Sequence, residues 1–469
     1  MRKLYVSVEI EGRQREVGSI VGDTEFSAEF RYSDDYLESP QSRPISISLP
    51  LTDQAYGPEE TRRFFEGLLP EGFLRRTVAE NNRTDSNDYL TLLEMLGSEC
   101  LGAIQIKGDE YHAVEPSYRE FDPEMMFDLA SEGASLSADL VVEAHLSLTG
   151  ASGKVGAYHD ADAGRWYLPI GSAPSTHILK QSHIRYDRIV QNEQLAQLTA
   201  EQLGISVPHS EIIRTSADGA RWDIGIGGQG AVRNGGRTAN SGNTDAGRSG
   251  RRRIIGDSRD ATVLFATERY DRTMEGSVRT IDGLPCPLRL HQEDFGQALG
   301  IAAANKYEHG GEQHMKQMFD LLRRYSASPI EDQMKLWDII VFHYLIGNTD
   351  GHIKNFSLLY DRQLRSVRLA PAYDVISTVV YGNHSWEMAF AIGGEMDWYK
   401  MDRACFERAA DEIGLNRRIF MRRFDDMAAR FDPALSKAAD AMSAAGYTEA
   451  AELAAEIRNL REKQPGRTS

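Results

Sequence analysis

The sequence has few cysteines, no excess of positive charge and no long apolar run. The cysteines, Cys100, Cys286 and Cys405, are far apart and odd in number, so they predict neither a disulfide framework nor a zinc site. A reducing cytoplasm is therefore the simplest location for the protein. The formal net charge of −17 argues against general binding to nucleic acid or to anionic membranes, although a local basic patch remains compatible with it.

Neither membrane insertion nor secretion is expected. The longest apolar run, residues 336–346, is interrupted by Asp338 and His343 and is too short to span a bilayer. Residues 1–10 alternate in polarity, which is typical of a strand and not of a signal peptide. With 469 residues, the chain is long enough for roughly three domains with cores of their own.

The apolar run at 336–346 predicts a buried helix, and a polar motif follows it at once. Asp350 and Asn355 have the D-x-x-x-x-N spacing of a kinase catalytic loop, in which the Asp orients or deprotonates the acceptor hydroxyl and the Asn holds magnesium. Asp374 is a second isolated carboxylate, placed where a kinase would keep its other metal ligand. An ordinary turn after a helix would give the same spacing, so the motif needs supporting parts elsewhere.

A phosphate-binding loop would be the first of these parts. Residues 145–157 have glycine at every third position among hydroxyl residues, so their backbone N–H groups could face phosphate oxygens. The segment matches neither a Walker A loop nor the glycine loop of protein kinases. A hairpin turn would explain it equally well.

A lysine with an acidic partner would be the second part. Lys180 ends the apolar strand predicted at 176–180, and Glu193 lies in the first turns of the helix predicted at 190–203. The two could form the lysine–glutamate ion pair of a kinase. The alternatives are an exposed lysine at a strand end and a glutamate that complements the helix dipole.

The order of the predicted elements indicates an α+β protein with a kinase-like bilobal fold. Four regions are expected: an N-terminal α+β subdomain (1–110), a connector (111–143), a strand-rich lobe ending in a hinge (144–271) and an all-helical C-terminal lobe (272–469). In the first region, the patterns predict strands at 4–8, 17–21, 45–51 and 100–106, with a helix capped at Asp88. In the last, they predict helices at 312–326, 330–346 and 402–461.

A glycine- and arginine-rich insertion, residues 225–258, interrupts the strand-rich lobe. Its composition predicts a flexible loop without a core. A basic arm for RNA or for an acidic partner is the functional interpretation. A solvated insertion is the simpler one, because surface loops tolerate variation in length.

Taken together, seven segments resemble the HipA family of serine/threonine kinases, the toxin halves of bacterial toxin–antitoxin pairs. The segments follow the family's order, at 147–154, 176–180, 268–272, 292–294, 306–308, 349–356 and 373–377. The resemblance implies an ATP- and Mg²⁺-dependent kinase. The sequence departs from the family's pattern in two places. The loop at 149–154 lacks the acidic residue often found there, and the insertion at 225–258 is longer than usual.

The resemblance also implies individual roles. Asp350 would be the catalytic base, and Asn355 and Asp374 would bind Mg²⁺. Ser147 matches the serine that family members phosphorylate in themselves, and a phosphate there would compete with ATP for the same cations and inactivate the chain. The residues that would contact ATP are Thr149, Gly150, Ala151, Ser152, Gly153, Lys154, Lys180, Glu268, Arg269, Tyr270, His352, Lys354 and Tyr373.

Two hypotheses of different kinds follow. The first is an active kinase that slows growth by phosphorylating a translation component such as an aminoacyl-tRNA synthetase. A small HipB-like helix-turn-helix antitoxin would neutralise it in a joint oligomer, and the pair would contact operator DNA through the antitoxin. The second is a catalytically silent scaffold or corepressor, against which the intact Lys180, Asp350, Asn355 and Asp374 argue. An RNA-directed phosphotransferase is a weaker idea, because the net charge is acidic.

Overall fold

The computed structural model describes residues 1–108, 114–132, 134–144, 153–182, 186–215, 223–224, 263–382 and 385–464. Within these ranges the chain forms an N-terminal α+β region, a strand-rich lobe and a mainly helical C-terminal lobe. No helix among the described residues combines the length and the apolar character needed to cross a bilayer.

The N-terminal region is built on a four-stranded antiparallel sheet covered by helices. Its elements are β1 (Lys3–Ile10), β2 (Arg13–Val21), β3 (Glu29–Tyr32), α1 (Asp34–Glu38), α2 (Pro58–Phe65), α3 (Gly72–Asn81), α4 (Tyr89–Leu96) and β4 (Ile104–Gly108). The alternation in β1 places Leu4, Val6 and Val8 in the core. The predicted cap of α4 is confirmed, because the Asp88 carboxylate accepts a hydrogen bond from the Thr91 N–H at 3.0 Å.

The strand expected at 45–51 is wrong. The chain turns there, and only an isolated bridge joins Ser46 to Leu49. Ile45 and Leu49 are buried, which produces the apolar alternation. Ser46 lies between them because its hydroxyl donates to the buried Glu293 carboxylate, so the polar residue is satisfied inside the protein and not at a sheet surface.

The strand-rich lobe is a seven-stranded antiparallel sheet. Its elements are β5 (Ser117–Glu120), α5 (Pro123–Glu132), α6 (Ala134–Glu143), β6 (Lys154–Asp160), β7 (Arg165–Ile170), β8 (His177–Gln181), α7 (Ile189–Gln202), β9 (Ser210–Arg214), β10 (Asp223–Ile224) and β11 (Val263–Glu268). The strand order is β10-β9-β11-β8-β6-β7-β5. Residues 111–143, expected as a connector, therefore contribute β5 to this sheet.

The C-terminal lobe surrounds the long buried helix α10. Its elements are β12 (Arg272–Thr273), β13 (Thr280–Ile281), β14 (Leu284–Pro285), β15 (Leu288–Arg289), β16 (Gln292–Asp294), α8 (Phe295–Leu299), α9 (His314–Tyr325), α10 (Pro329–Ile346), β17 (Ser357–Tyr360), β18 (Val367–Leu369), β19 (Glu387–Ile392), β20 (Glu395–Asp397), α11 (Arg403–Glu412), α12 (Arg417–Ala444) and α13 (Glu449–Glu462). Helix α10 packs against α9 and α12.

The C-terminal lobe is not all-helical, so that part of the expected fold is corrected. A three-stranded sheet, β16-β17-β18, and a hairpin, β19-β20, lie among its helices. These strands have only three to six residues, which is too short for a clear period-two pattern in the sequence. Strand β17 begins two residues after the D-x-x-x-x-N motif and therefore anchors the end of that loop.

Candidate active site

The catalytic-loop motif begins where α10 ends. Gly347 adopts the left-handed conformation (φ +74°), and its N–H donates to the carbonyls of His343 and Tyr344. A Cβ at this position would lie 2.3 Å from Val379 Cγ2. Glycine is therefore required both for the backbone conformation and for the close approach of the neighbouring segment.

Asp350 is half-buried and is held from three directions. Its N–H donates to Asn348 Oδ1 at 3.1 Å, and Asn355 Nδ2 donates to its carbonyl oxygen at 3.0 Å. The Tyr307 hydroxyl donates to its Oδ1 at 2.6 Å. The other carboxylate oxygen, Oδ2, receives no hydrogen bond from any described residue, so it can accept one from a substrate.

Lys180 on β8 joins the two lobes at the site. Its Nζ donates to Glu193 Oε1 on α7 at 2.6 Å and also to the Asp374 carboxylate. The predicted ion pair between Lys180 and Glu193 is therefore confirmed. Lys154 on β6 lies directly opposite Lys180 in the antiparallel register. The two lysine side chains are therefore neighbours on the same face of the sheet.

The charges of this cluster are set by burial and by mutual attraction. Burial alone would raise the pKa of Asp374, but Lys180 and Lys154 outweigh it and hold that pKa far below its usual range. Burial would lower the pKa of Lys180, yet the carboxylates of Asp374 and Glu193 raise it above its ordinary value. Burial lowers the pKa of Lys154. At neutral pH, Lys180 and Asp374 therefore form a charged pair.

These side chains line one end of a cleft that also reaches the hinge. At the hinge, Glu268, Arg269 and Tyr270 line the cleft, and the Tyr373 ring stacks on Tyr270 with their centroids 5.7 Å apart. The cleft thus combines an aromatic, half-buried end with a strongly charged end.

The side chain of Arg269 does not serve the cleft. Its guanidinium is fully buried and donates to Asp271, to Glu99 and to the Ser175 hydroxyl. Only the backbone of Arg269 can therefore contact a nucleotide. The nucleotide contact expected of Arg269 stays a prediction for its backbone, because its side chain joins the hinge to the N-terminal region.

Lys354 and His352 are both buried beside Asp350. Lys354 Nζ donates to Asp294 Oδ2 at 2.6 Å and lies 3.7 Å from Glu71 Oε1, so its charge is already compensated inside the protein. Burial and the nearby Lys306 ammonium lower the pKa of His352 to about 4, so its ring is neutral at pH 7. Both residues support the loop, and Lys354 is less available to phosphates than its sequence position suggested.

The predicted loop and the predicted self-modification site lie mostly outside the described residues. This is true of Ser147, Thr149, Gly150, Ala151 and Ser152. It is also true of the whole insertion at 225–258. Gly153 and Lys154 are described, and both are buried where β6 begins. The side chain of Lys154 lines the cleft.

Asn355 and Asp374 have the oxygen donors that a nucleotide–magnesium complex would use. Asn355 uses its Nδ2 within the loop, which leaves its Oδ1 as a ligand, and Asp374 supplies a carboxylate at the charged end of the cleft. Magnesium commonly takes one or two protein oxygens and completes its shell with phosphates and water. Among the described residues, no group of three His, Cys, Asp or Glu side chains could hold a metal without such help.

The fold and the site together define a kinase-like protein: a strand-rich lobe with a paired lysine, a hinge, and a lobe that carries an Asp–Asn loop and a second Asp. Family comparisons agree. The HipA N-terminal domain matches residues 8–107, and the HipA-like C-terminal domain matches residues 146–435. The chain belongs to the HipA family.

Individual relatives cover most of the chain. A protein of Sinorhizobium fredii named "Putative kinase Y4mE" is 31% identical over 88% of this chain and 87% of its own length. The serine/threonine-protein kinase toxin HipA of Shewanella oneidensis is 23% identical over 89% of this chain and 87% of its own length. A chain in the solved complex of Shewanella oneidensis HipA, HipB and operator DNA superposes with a TM-score of 0.69 at 19% identity, covering 98% of this chain and 99% of that chain, and so shares the fold.

Sequence reasoning missed several residues that complete the site. Tyr307 contacts Asp350, Asp294 pairs with Lys354, and Glu71 from the N-terminal region pairs with Lys306. Tyr307, Lys306 and Asp294 lie in segments that carried the resemblance, which was the only signal available for them. Glu71 gave no signal, because an isolated glutamate at the start of a helix is common.

Proposed function

We propose that this protein is an ATP- and Mg²⁺-dependent protein kinase that phosphorylates serine or threonine hydroxyls of a protein substrate. The observation that carries the proposal is Lys180, whose ammonium lies between Glu193 and Asp374 at the charged end of the cleft. A lysine paired with a helix glutamate and placed beside a metal-binding aspartate is the arrangement that protein kinases use to hold nucleotide phosphates.

The residues of the chain have distinct roles in this proposal. Asp350 orients the acceptor hydroxyl and accepts its proton, while Lys180, Asn355 and Asp374 are the residues that would hold the phosphates and the metal. Bound ATP supplies the phosphoryl group, and Mg²⁺ neutralises the charge on the phosphates. Tyr270 and Tyr373 close the aromatic end of the cleft, where a purine base would lie.

The geometry favours an active kinase over a silent scaffold. A protein that kept the fold only to bind a partner would have no need of a buried lysine balanced between two carboxylates. Breaking a buried ion pair usually costs several kcal/mol, but replacing the whole pair by apolar residues is often neutral. The cluster around Lys180 is therefore best explained by the charge of a ligand.

The biological role proposed for the kinase follows the family. The protein would act as a growth-slowing toxin on a translation component such as an aminoacyl-tRNA synthetase. A HipB-like antitoxin would neutralise it and bring the pair to operator DNA, and self-phosphorylation at Ser147 would limit its activity. Support for these finer points comes from family membership and from the segment around Ser147 in the sequence.

Intact-mass analysis of the purified protein, with and without ATP and Mg²⁺, tests the proposal. We expect the wild-type protein to gain one phosphate, and peptide mapping to place it at Ser147. Asp350→Asn should slow the gain by about 10²–10⁴-fold, the usual contribution of a positioned acid or base. Ser147→Ala should bind ATP normally and gain no phosphate.

The matched control is Asp440→Asn, which makes the same chemical change on the exposed face of α12. This variant should keep the wild-type rate. Wild-type protein that gains no phosphate under these conditions would favour the silent scaffold. Normal phosphate transfer in Asp350→Asn would remove Asp350 from its role, and a phosphate at a residue other than Ser147 would remove the proposed self-limitation.

A further inference from the structure

The catalytic Asp350 has a partner that belongs to none of the motifs assigned a role above. We propose that Tyr307 is a positioning residue: it fixes one oxygen of the Asp350 carboxylate and leaves the other for the acceptor hydroxyl. In the same proposal, Glu71 of the N-terminal region holds the Tyr307 segment in place. Both roles rest on the proposed kinase function.

The contact between Tyr307 and Asp350 is short and specific. The hydroxyl donates to Oδ1 at 2.6 Å, and the Tyr307 and His352 rings pack in a T-shaped arrangement with their centroids 5.3 Å apart. A tyrosine hydroxyl is a donor at neutral pH, and a hydrogen bond to a charged carboxylate is stronger than one between neutral groups. The bond therefore restricts rotation of the carboxylate about its last single bond.

Tyr307 itself is fixed by the residues on both sides of it. On one side, Lys306 donates from Nζ to Glu71 Oε2 at 2.7 Å, and its carbonyl oxygen accepts from the Ile353 N–H at 3.4 Å. On the other side, the Glu308 N–H donates to the Ala389 carbonyl at 2.8 Å. The tyrosine thus reaches Asp350 from a segment whose backbone is already ordered.

The role of Tyr307 is separate from that of the loop itself. Asn348 and Asn355 hold the backbone of Asp350 through its N–H and its carbonyl, whereas Tyr307 touches only the carboxylate. Loss of the hydroxyl should therefore leave the loop and the nucleotide cleft intact and disturb only the side chain. A fixed carboxylate matters because small errors in the placement of a reacting group are costly in rate.

Glu71 adds the N-terminal region to this arrangement. It stands at the start of α3 and lies between two lysines of the C-terminal lobe, 2.7 Å from Lys306 and 3.7 Å from Lys354. Each of these lysines is close in sequence to one member of the Tyr307–Asp350 pair. The carboxylate of Glu71 therefore ties the two segments together, and its effect on catalysis should pass through Tyr307.

The test compares Tyr307→Phe with Tyr325→Phe, which removes the same hydroxyl from an exposed tyrosine at the end of α9. The maximum rate of self-phosphorylation and the half-saturating ATP concentration are measured for each. Tyr307→Phe should lower the maximum rate by about 10–100-fold, the value of one hydrogen bond to a charged group, and leave the half-saturating ATP concentration within about twofold. Tyr325→Phe should match the wild type in both.

A double-mutant cycle tests the part assigned to Glu71. Glu71→Gln should lower the maximum rate by about three- to tenfold, and Glu71→Gln combined with Tyr307→Phe should be no slower than Tyr307→Phe alone. Additive losses would show that Glu71 acts by another route. For Tyr307→Phe alone, a higher maximum rate would mean that the hydroxyl blocks Asp350. An unchanged maximum rate, or a loss confined to ATP affinity, would also overturn the proposal.

Crystal structures of the wild-type protein and of Tyr307→Phe give a readout that needs no turnover. The proposal expects a single orientation of the Asp350 carboxylate in the wild type, and a rotated carboxylate or two conformers in the variant. An identical carboxylate in both crystals would refute the positioning role. If the wild-type protein transfers no phosphate, the proposed function fails, whereas this structural comparison still decides the role of Tyr307.

Discussion

The buried carboxylate of Glu99 lies among three guanidinium groups at the junction of the N-terminal region and the hinge. Arg272 Nη2 is 2.6 Å and Arg269 Nη1 is 3.2 Å from Oε1, and Arg289 Nη2 is 2.7 Å from Oε2. All four side chains are at most 4% exposed. Burial alone would raise the pKa of Glu99, but the three guanidiniums outweigh it and lower that pKa. Glu99→Gln keeps the shape of the side chain and removes its charge.

The expected loss of stability can be bounded from this geometry. In the wild type, Glu9, Glu99 and Asp271 balance the three arginines, whereas the variant leaves one buried guanidinium charge without compensation. Removing one partner of a buried ion pair costs about 3–5 kcal/mol. The glutamine oxygen can still accept a hydrogen bond, so we expect a loss of about 3 kcal/mol in the free energy of unfolding.

Urea titration followed by tryptophan fluorescence measures this loss. The matched control is Glu120→Gln, which breaks the exposed pair of Glu120 and Arg165 and should cost less than about 1 kcal/mol. Repeating both titrations in 0.5 M NaCl should leave the loss in Glu99→Gln nearly unchanged, because buried charges are weakly screened. A loss of under 1 kcal/mol, or one equal to that of the control, would refute the view that this cluster stabilises the junction.

Two further predictions concern a glycine and a buried acid. Gly347→Ala should destabilise the protein by about 3 kcal/mol in urea titration, since it adds left-handed strain and a Cβ 2.3 Å from Val379. The control Gly283→Ala has a similar φ and open space around it, so it should be destabilised by the backbone strain alone. Burial and the carboxylate of Glu268 raise the pKa of Glu211 from an ordinary 4.5 to about 7. Because the unfolded chain then releases this proton at a lower pH than the folded protein, the free energy of unfolding of the wild type should fall by up to about 3 kcal/mol as the pH rises from 4.5 to 7. Glu211→Gln should not show this fall. Equal losses in the two glycine variants, or parallel pH profiles for Glu211→Gln and the wild type, would contradict these expectations.

The parts of the site that the sequence predicted are those formed by neighbours in the chain or by regular elements. Asp350 and Asn355 share one loop, and the hydrogen bond from Asn355 Nδ2 to the Asp350 carbonyl is a direct consequence of their spacing. The pair of Lys180 and Glu193 joins the end of a strand to the first turns of the helix that follows it in the chain. These features depend on local geometry, which a sequence pattern records well.

The parts that escaped prediction depend on contacts between distant segments. Tyr307 and Asp350 are 43 residues apart and meet only when the C-terminal lobe folds. Glu71 and Lys306 meet only after the N-terminal region has packed against that lobe. The side chain of Arg269 illustrates the same point. Its position in the hinge motif suggested a contact with the nucleotide, but Glu99 of the N-terminal region and Asp271, two residues further on, bind its guanidinium away from the cleft.

The same contacts argue that the N-terminal region forms one folding unit with the two lobes. Glu99 and Glu9 supply two of the three carboxylates that neutralise Arg269, Arg272 and Arg289 beside the hinge. Without them, three buried guanidiniums would face Asp271 alone, an arrangement that a protein interior does not tolerate. Glu71 pairs with Lys306, next to Tyr307, and lies near Lys354 in the Asp350–Asn355 loop. Carboxylates of the N-terminal region therefore balance charges at the hinge and at the Asp350 loop, so the two parts of the chain should fold as one.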